Sequence, residues 1–152
     1  MRKELKVSAI RDGTVIDHIT QGKSFEVAKI LNLEKFKDTL TIAMNVSSEK
    51  SGKKDVVKIE NRELSENEVN KISLVASNAT LNVVRDFEVV EKKKVRVPEK
   101  IENLLECSNL FCVTRKEDVK TKFILESSKP LKLRCYFCDR IMMREEILER
   151  LR

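Results

Sequence analysis

Four cysteines are the residues of this chain whose spacing most clearly indicates chemistry. They form two close pairs, Cys107 with Cys112 and Cys135 with Cys138, and 22 residues separate the pairs. Two such turns can converge on one ion, because zinc binds four soft ligands about 2.3 Å away in a tetrahedron. The spacing therefore predicts a structural zinc site with no open position. Two disulfides or four unrelated buried thiols are the alternative.

The rest of the chain offers little for catalysis. It contains one histidine, His18, and 3 glycines, which leaves no Cys-His pair outside the cysteine turns and no glycine-rich phosphate loop. We therefore expect a protein that binds rather than an enzyme. The N-terminus has no apolar signal segment, and no stretch approaches the roughly 18 apolar residues of a membrane span. We expect a cytoplasmic protein with no membrane partner.

The net charge of +6 raises the question of a polyanionic partner. The densest basic run is Lys92, Lys93, Lys94 and Arg96, and acidic residues are interleaved almost everywhere else. This run supports an alternative interpretation, a free-standing zinc-ribbon protein that binds nucleic acid. Aromatic residues make up only 5% of the chain and form no stripe with basic residues, which disfavours that alternative.

The hydrophobic pattern before residue 97 predicts an α+β domain. Alternating residues and a turn at Arg11-Asp12-Gly13 predict a hairpin of strands 5–10 and 14–19. A helix over about 23–33, strands over 39–46 and 54–60, a helix capped by Ser65 and Glu68, and extended segments over 80–84 and 87–90 follow. This order predicts a ferredoxin-like split βαβ sandwich with an extra strand, in which two helices cover one face of an antiparallel sheet.

A second, smaller domain is predicted from residue 98 to 152, after a first domain of 1–97. Short strands at 123–125 and 131–133 lie between the cysteine pairs, and 144–152 has a helical pattern. A unit of roughly 50 residues buries little apolar surface, so metal binding supplies much of its folding free energy. We expect a small zinc-ribbon-like β domain.

Individual polar residues of the first domain carry no signal by themselves. Asp17 and His18 are neighbours in a predicted strand, so we expect their side chains on opposite faces, unable to pair directly. Lys58 lies on the strand face opposite Val57 and Ile59, which is typical of a solvated face. Only the larger pattern assigns them a role.

That larger pattern resembles a known family. The blocks that carry it are Gly13-Thr14-Val15-Ile16-Asp17-His18-Ile19, Lys54-Asp55-Val56-Val57-Lys58-Ile59-Glu60-Asn61, Ala79-Thr80-Leu81-Asn82 and Val89-Val90, followed by the four cysteines. In this order they are similar to the regulatory chain of aspartate carbamoyltransferase. The likeness runs from about Leu5 to Cys138.

The resemblance implies a non-catalytic subunit of the enzyme that commits carbamoyl phosphate and aspartate to pyrimidine synthesis. It implies an N-terminal domain that binds CTP as inhibitor and ATP as activator, with UTP modulating the response. It also implies that the zinc domain contacts the catalytic chain, and that two catalytic trimers are bridged by three regulatory homodimers. A nucleic-acid partner is not expected.

The resemblance also implies which residues bind the nucleotide. Carried over by matching position, they are Ala9, Ile10, Arg11, Val15, Asp17, His18, Lys58, Asn82, Val84, Phe87, Val89 and Lys92. The family pattern assigns Lys58 to the ribose and base, Asp17 to the ribose, and His18, Asn82 and Lys92 to the phosphates. Base recognition is expected to use backbone groups of Ile10 and Phe87. The metal ligands are Cys107, Cys112, Cys135 and Cys138.

Overall fold

The computed structural model describes residues 9–49 and 52–152. The chain divides into two compact units, with the boundary between Val95 and Arg96. The predicted boundary, between 97 and 98, lies close to this point. Each unit has its own sheet, and each is described by itself.

The N-terminal unit is built on a five-stranded antiparallel sheet. Its strands are β1 (Gly13–Thr20), β2 (Leu40–Ser48), β3 (Gly52–Glu60), β4 (Thr80–Arg85) and β5 (Glu88–Lys94). Their order across the sheet is β2-β3-β1-β4-β5, and every neighbouring pair is antiparallel. Four of these strands form the split βαβ arrangement, and β5 adds to its edge. The predicted fold class is confirmed.

Two helices connect these strands and lie over one face of the sheet. Helix α1 spans Ser24–Ile30 and is followed by a 3-10 turn at Leu33–Lys35, and α2 spans Glu66–Val75. The predicted capping box at the start of α2 is confirmed. The Ser65 hydroxyl accepts a hydrogen bond from the Glu68 amide at 3.2 Å, and a Glu68 carboxylate oxygen accepts one from the Ser65 amide at 3.1 Å.

The alternation of the central strands divides the sheet into two faces. Ile16, Ile59 and Leu81 are buried with Val27 and Ile72 of the helices. Their neighbours along the strands point to the other face, because successive side chains of a strand alternate. The helix-covered face therefore forms the core of this unit.

The predicted N-terminal hairpin is wrong where the structure describes it. Strand β1 pairs along one edge with β3 and along the other with β4, so neither edge is left for a preceding strand. Ala9 and Ile10 lie outside any strand, and the remainder of the predicted strand, residues 5–8, lies outside the described residues. The local alternation was misleading because the partners of β1 come from distant parts of the sequence.

Two bulges interrupt the sheet. The register between β1 and β3 shifts between Ile16 and Ile19, and the register between β2 and β3 shifts between Ala43 and Val46. Within these intervals His18 and Asn45 adopt left-handed backbone conformations, with φ of 56° and 60°. The simple alternation of side chains therefore fails at both points.

The C-terminal unit has a four-stranded antiparallel sheet. Its strands β6 (Lys100–Glu102), β7 (Lys122–Ser128), β8 (Leu131–Cys135) and β9 (Ile141–Met143) lie side by side in chain order. A short helix α3 (Val113–Lys116) follows the first cysteine pair, and α4 (Arg144–Arg150) ends the chain. The predicted strands at 123–125 and 131–133 lie within β7 and β8.

The core of this unit is small and is closed by the end of the chain. Phe123, Leu133 and Ile147 are fully buried. After α4, Leu151 forms a β-bridge with Leu105. The amide of the next residue, Glu106, donates a hydrogen bond to the Arg150 carbonyl at 3.0 Å. The C-terminal segment is thus fastened beside the first cysteine turn. Among the described helices of both units, none has the length and apolar character needed to cross a membrane.

Candidate functional site

An open cavity of about 620 Å³ lies on the face of the N-terminal sheet opposite the helices. Its volume is within the range of sites that bind small molecules. The residues that line it are Ala9, Ile10, Val15, Asp17, His18, Val46, Ser47, Ser48, Glu49, Lys54, Val56, Lys58, Asn82, Val84, Phe87 and Val89. They come from the three central strands, from the ends of β2 and β5, and from the segment before β1.

This cavity brings together all the predicted nucleotide residues except Arg11 and Lys92. The Arg11 side chain is 69% exposed. Its Nε lies 3.6 Å from Asp12 Oδ2 and 3.9 Å from Asp86 Oδ1, so it forms ion pairs with two carboxylates. Lys92 is exposed on β5, directly opposite Asn82 of β4. Lys92 therefore stands beside the cavity rather than in its wall.

Asp17 and His18 correct a prediction, because both side chains line the cavity. The bulge in β1 turns His18 out of the normal alternation. The His18 amide donates to Asp17 Oδ1 at 2.6 Å, and His18 Nδ1 lies 4.0 Å from Asp17 Oδ2 and 3.1 Å from Thr80 Oγ1. An aspartate and a histidine that are adjacent in sequence are therefore also neighbours in the site.

Lys54 is a site residue that the sequence analysis missed. Its ammonium lies 2.8 Å from Asp17 Oδ1, and its side chain is only 17% exposed. Lys54, Val56 and Lys58 alternate along β3, so the spacing that places Lys58 on this face also places Lys54 there. The segment Val46–Glu49 was missed as well, because the β2 bulge shifts its register in a way that alternation does not reveal.

The ionisable groups of the cavity affect one another. Burial by itself would raise the pKa of Asp17, but the hydrogen bonds from Lys54 and from the His18 amide and the nearby positive charges outweigh it, so this pKa is lowered. Burial lowers the pKa of Lys58, against the attraction of Asp17. The cavity thus holds an ionised carboxylate among amines on its floor.

One wall of the cavity is apolar and is held by hydrogen bonds from two backbone amides. The Phe87 amide donates to the Arg11 carbonyl at 2.9 Å, and the Asp86 amide donates to Asp12 Oδ1 at 3.0 Å. These bonds join the segment before β1 to the turn between β4 and β5. Because Ile10 and Phe87 both line the cavity, the joined segments form a continuous wall beside the charged floor.

The C-terminal unit brings the four cysteines together. The sulfurs of Cys107 and Cys138 lie 3.6 Å apart, those of Cys112 and Cys135 lie 3.7 Å apart, and all four lie within 4.8 Å of one another. A tetrahedron with bonds of about 2.3 Å has sulfur–sulfur edges of about 3.8 Å. The cysteines are free rather than bonded in pairs, and the cluster could hold one metal ion.

The surroundings of the sulfurs also suit a cation. Burial raises the pKa of the Cys107 and Cys135 thiols, whereas the pKa of Cys138 is lowered to about 7, because hydrogen bonds from Asn109 and the Arg140 backbone outweigh its burial. Four thiolates so close together repel one another unless a metal ion compensates their charge. The Thr114 hydroxyl supports the cluster by donating to the Cys112 sulfur at 3.1 Å.

Lys54→Met should destabilise the protein in a pH-dependent way. The pKa of Asp17 is lowered on folding, so Asp17 stabilises the fold above its unfolded pKa of about 3.9, and this stabilisation is lost as the pH falls through the folded pKa. Without Lys54, we expect a loss of about 1–2 kcal/mol at pH 7. The difference from the unchanged protein should narrow below about pH 4.

Thermal unfolding of Lys54→Met and of the unchanged protein, measured at several values from pH 7 to about pH 3, gives the difference in stability between them. Acid also releases any bound metal, but it does so in both proteins, so this effect cancels in the difference. Lys53→Met is the control, since Lys53 is the exposed neighbour on the same strand. It should be nearly neutral. A stability difference for Lys54→Met that stays constant from pH 7 to about pH 3 would contradict the coupling to Asp17.

Comparison with known proteins gives the family. The family model for the allosteric domain of the aspartate carbamoyltransferase regulatory chain matches residues 5–96, and the model for the metal binding domain of the same chain matches residues 99–148. The regulatory chain of aspartate carbamoyltransferase from Pyrococcus abyssi is 57% identical over 150 residues, which are 97% of this chain and 99% of the relative.

Other relatives agree. The regulatory chain from Pyrococcus horikoshii is 55% identical over the same coverage, and that from Methanocaldococcus jannaschii is 49% identical over 92% of this chain and 93% of its own length. The matches span both units, and each alignment covers nearly the full length of this chain and of the relative. The chain therefore belongs to the family of aspartate carbamoyltransferase regulatory chains, the non-catalytic subunits of that enzyme.

Proposed function

We propose that the cavity of the N-terminal unit binds the nucleotide effectors CTP, which inhibits, and ATP, which activates, with UTP as a further effector at the same site. The observation that carries this proposal is the composition of the cavity, which places cationic side chains and one carboxylate beside an apolar wall. A nucleoside triphosphate presents the complementary set of groups, namely phosphates, ribose hydroxyls and a planar base.

The charges of the site match a triphosphate. Lys54, Lys58 and His18 lie in the cavity, and Lys92 stands at its side on β5. Flexible lysines act as mobile point charges, which suits a chain with too few glycines to bind phosphate with a glycine-rich loop. Asn82, opposite Lys92, can donate to a phosphate from its amide.

The ribose and base fit the remaining surfaces. The Asp17 carboxylate accepts hydrogen bonds, and its lowered pKa keeps it ionised for the ribose hydroxyls. Val15, Val84 and Val89 provide apolar contacts for the base. The Phe87 amide already donates to Arg11, so base recognition at Phe87 would use its carbonyl, together with the backbone of Ile10.

Regulation requires that a nucleotide bind two states of the assembled enzyme with different affinities. A ligand shifts such an equilibrium only by that difference, and the coupling is reciprocal. We propose the assembly implied by the sequence resemblance, in which three regulatory homodimers bridge two catalytic trimers in the cytoplasm. Free thiols at the cysteine cluster fit a reducing compartment.

We further propose that the metal is zinc, bound by Cys107, Cys112, Cys135 and Cys138. Four thiolates at tetrahedral spacing are the ligand set that zinc takes in closed structural sites. When bound, the ion supplies folding free energy to a unit with a small core. No position remains for a substrate.

The contact with the catalytic chain is proposed on the exposed apolar side chains around these cysteines. Leu110, Phe111 and Val113 flank Cys112, and Tyr136 and Phe137 lie between Cys135 and Cys138, so the convergence of the sulfurs also gathers these side chains. All five are exposed, and Phe111 is 81% exposed. A concentration of exposed aromatic and apolar residues is typical of a protein interface.

Lys92→Ala should weaken CTP binding about tenfold, because a charge-assisted contact with a phosphate is removed. Titration calorimetry of the assembled enzyme measures the affinity. Lys93→Ala is a matched control, since Lys93 is equally charged and exposed but lies opposite Leu81, on the other face of the strand. Equal losses for both variants would show a general charge effect and contradict the assigned site.

Cys135→Ser should release the metal and prevent assembly. A closed site that loses one of four thiolates no longer holds its ion, and the small unit unfolds. We expect near-equimolar zinc in the unchanged protein, little in the variant, no co-migration with the catalytic chain in gel filtration, and normal CTP binding by the N-terminal unit. Assembly of the zinc-free variant would contradict the role of the metal.

Phe111→Ser should weaken assembly without loss of zinc. An exposed aromatic residue at the centre of an interface contributes about 2 kcal/mol or more to binding, so we expect a loss of about thirtyfold in affinity for the catalytic chain. Phe25→Ser is the control, because Phe25 is 65% exposed but belongs to α1 of the other unit. Equal affinities of the Phe111→Ser variant and the unchanged protein would place the interface elsewhere.

A further inference from the structure

Asp55 is a buried carboxylate that does not face the proposed nucleotide cavity. It lies on β3 between the cavity residues Lys54 and Val56, and its side chain points to the core face and is fully buried. Its two oxygens accept three backbone hydrogen bonds. Oδ2 accepts from the amides of Gly22 at 3.0 Å and Ser24 at 3.2 Å, and Oδ1 accepts from the Asn45 amide at 3.1 Å.

These three bonds meet at the place where both bulges of the sheet lie. In β1, Asp17 and His18 together stand opposite the single residue Val56, and in β2, Met44 and Asn45 stand opposite Asp55 itself. Each bulge leaves a residue of its strand without a regular partner in the ladder. The Asp55 carboxylate supplies that partner to Asn45.

Each bulge determines the position of residues in the cavity. The β1 bulge directs His18 into the cavity beside Asp17, and the β2 bulge sets the register of the lining segment Val46–Glu49. Both bulges contain a residue other than glycine in the left-handed conformation, His18 and Asn45, and this conformation is less favourable for residues with a side chain. Such conformations persist only where the surroundings hold them.

The Asp55 carboxylate forms hydrogen bonds close to both bulges. Through Asn45 it holds the β2 bulge, and through Gly22 and Ser24 it holds the turn that leaves β1 four residues after His18. A second bond joins the same two places on the surface, since the Gln21 amide group donates to Asn45 Oδ1 at 2.7 Å. The end of β1 and the middle of β2 are therefore fastened together across β3.

We propose that Asp55 is a positioning residue for the effector site, which fixes the two bulges so that His18 and the Val46–Glu49 segment face the nucleotide. The inference rests on the proposed nucleotide function for its effect on affinity. Its effect on His18 itself is independent of any ligand.

Asp55→Asn is the direct test, because asparagine keeps the shape but replaces one acceptor oxygen by a donor. One of the two groups of amides would then face an NH₂ group and lose its bond. We expect CTP affinity to fall about tenfold by calorimetry on the assembled enzyme, since misplacement of contacts at a distance weakens binding at a site. Leu74→Ala is the control, because Leu74 is buried on α2 and lines no part of the cavity.

The second measurement uses the single histidine of the chain. Its imidazole carries two carbon-bound protons, and the single Cε1–Hε1 proton–carbon NMR signal reports the β1 bulge in the free protein. We expect this signal to move in Asp55→Asn and, by a smaller amount, in Gln21→Ala, which removes only the exposed bond and should still fold. In Leu74→Ala the signal should stay at its original position.

The outcomes separate the two proposals. An unmoved His18 signal in both Asp55→Asn and Gln21→Ala would overturn the positioning role. The same conclusion follows if Leu74→Ala moves the signal as much as Asp55→Asn, because the effect would then be general loosening. If the unchanged protein bound no CTP, the nucleotide proposal would fail, and a moved His18 signal would still support the positioning of His18 by Asp55.

Discussion

The structure of the N-terminal unit depends on the pairing of β1 with a strand along each edge. Gly13 begins this strand with φ of +137°, and a Cβ atom there would lie 2.1 Å from the Ile59 carbonyl oxygen, so only glycine allows β3 to approach. Because β3, β1 and β4 are neighbours, Lys58, Val15 and Asn82 lie side by side on one face. The cavity is therefore built mainly on hydrogen-bonded strands, whose mutual positions vary less than those of loops.

The two units are stabilised by different means. The N-terminal unit has two helices on a five-stranded sheet and a continuous apolar core. The C-terminal unit has a smaller core, with residues such as Phe123 and Met142, and it also gathers four thiols. In such a unit, folding and metal binding are one equilibrium. The division matters for the proposed functions, because a change in the metal site would alter the proposed partner surface while leaving the sheet of the other unit intact.

Local patterns predicted the elements whose causes are local. The Ser65–Glu68 capping box and the alternation of β3 and β4 depend on residues close in sequence, and so does the spacing of the cysteine turns. The pairing of β1 depends on β3 and β4, which lie about 40 and 70 residues away, and alternation alone could not show it.

The bulges explain the errors at the site. A bulge depends on a hydrogen-bonding partner such as Asp55, whose role cannot be seen in a strand pattern. For this reason the relation of Asp17 to His18 and the contribution of Val46–Glu49 were missed, whereas Lys54 could have been found from its spacing with Lys58.

The exposed edge strand β5 has a consequence of another kind. Among the described strands β5 lies at one edge of the sheet, and an edge without a paired strand can bind a second chain and begin an aggregate, but three successive lysines, Lys92 to Lys94, would repel an identical edge. The positive charge beside the cavity thus also protects the molecule from fibril-like association.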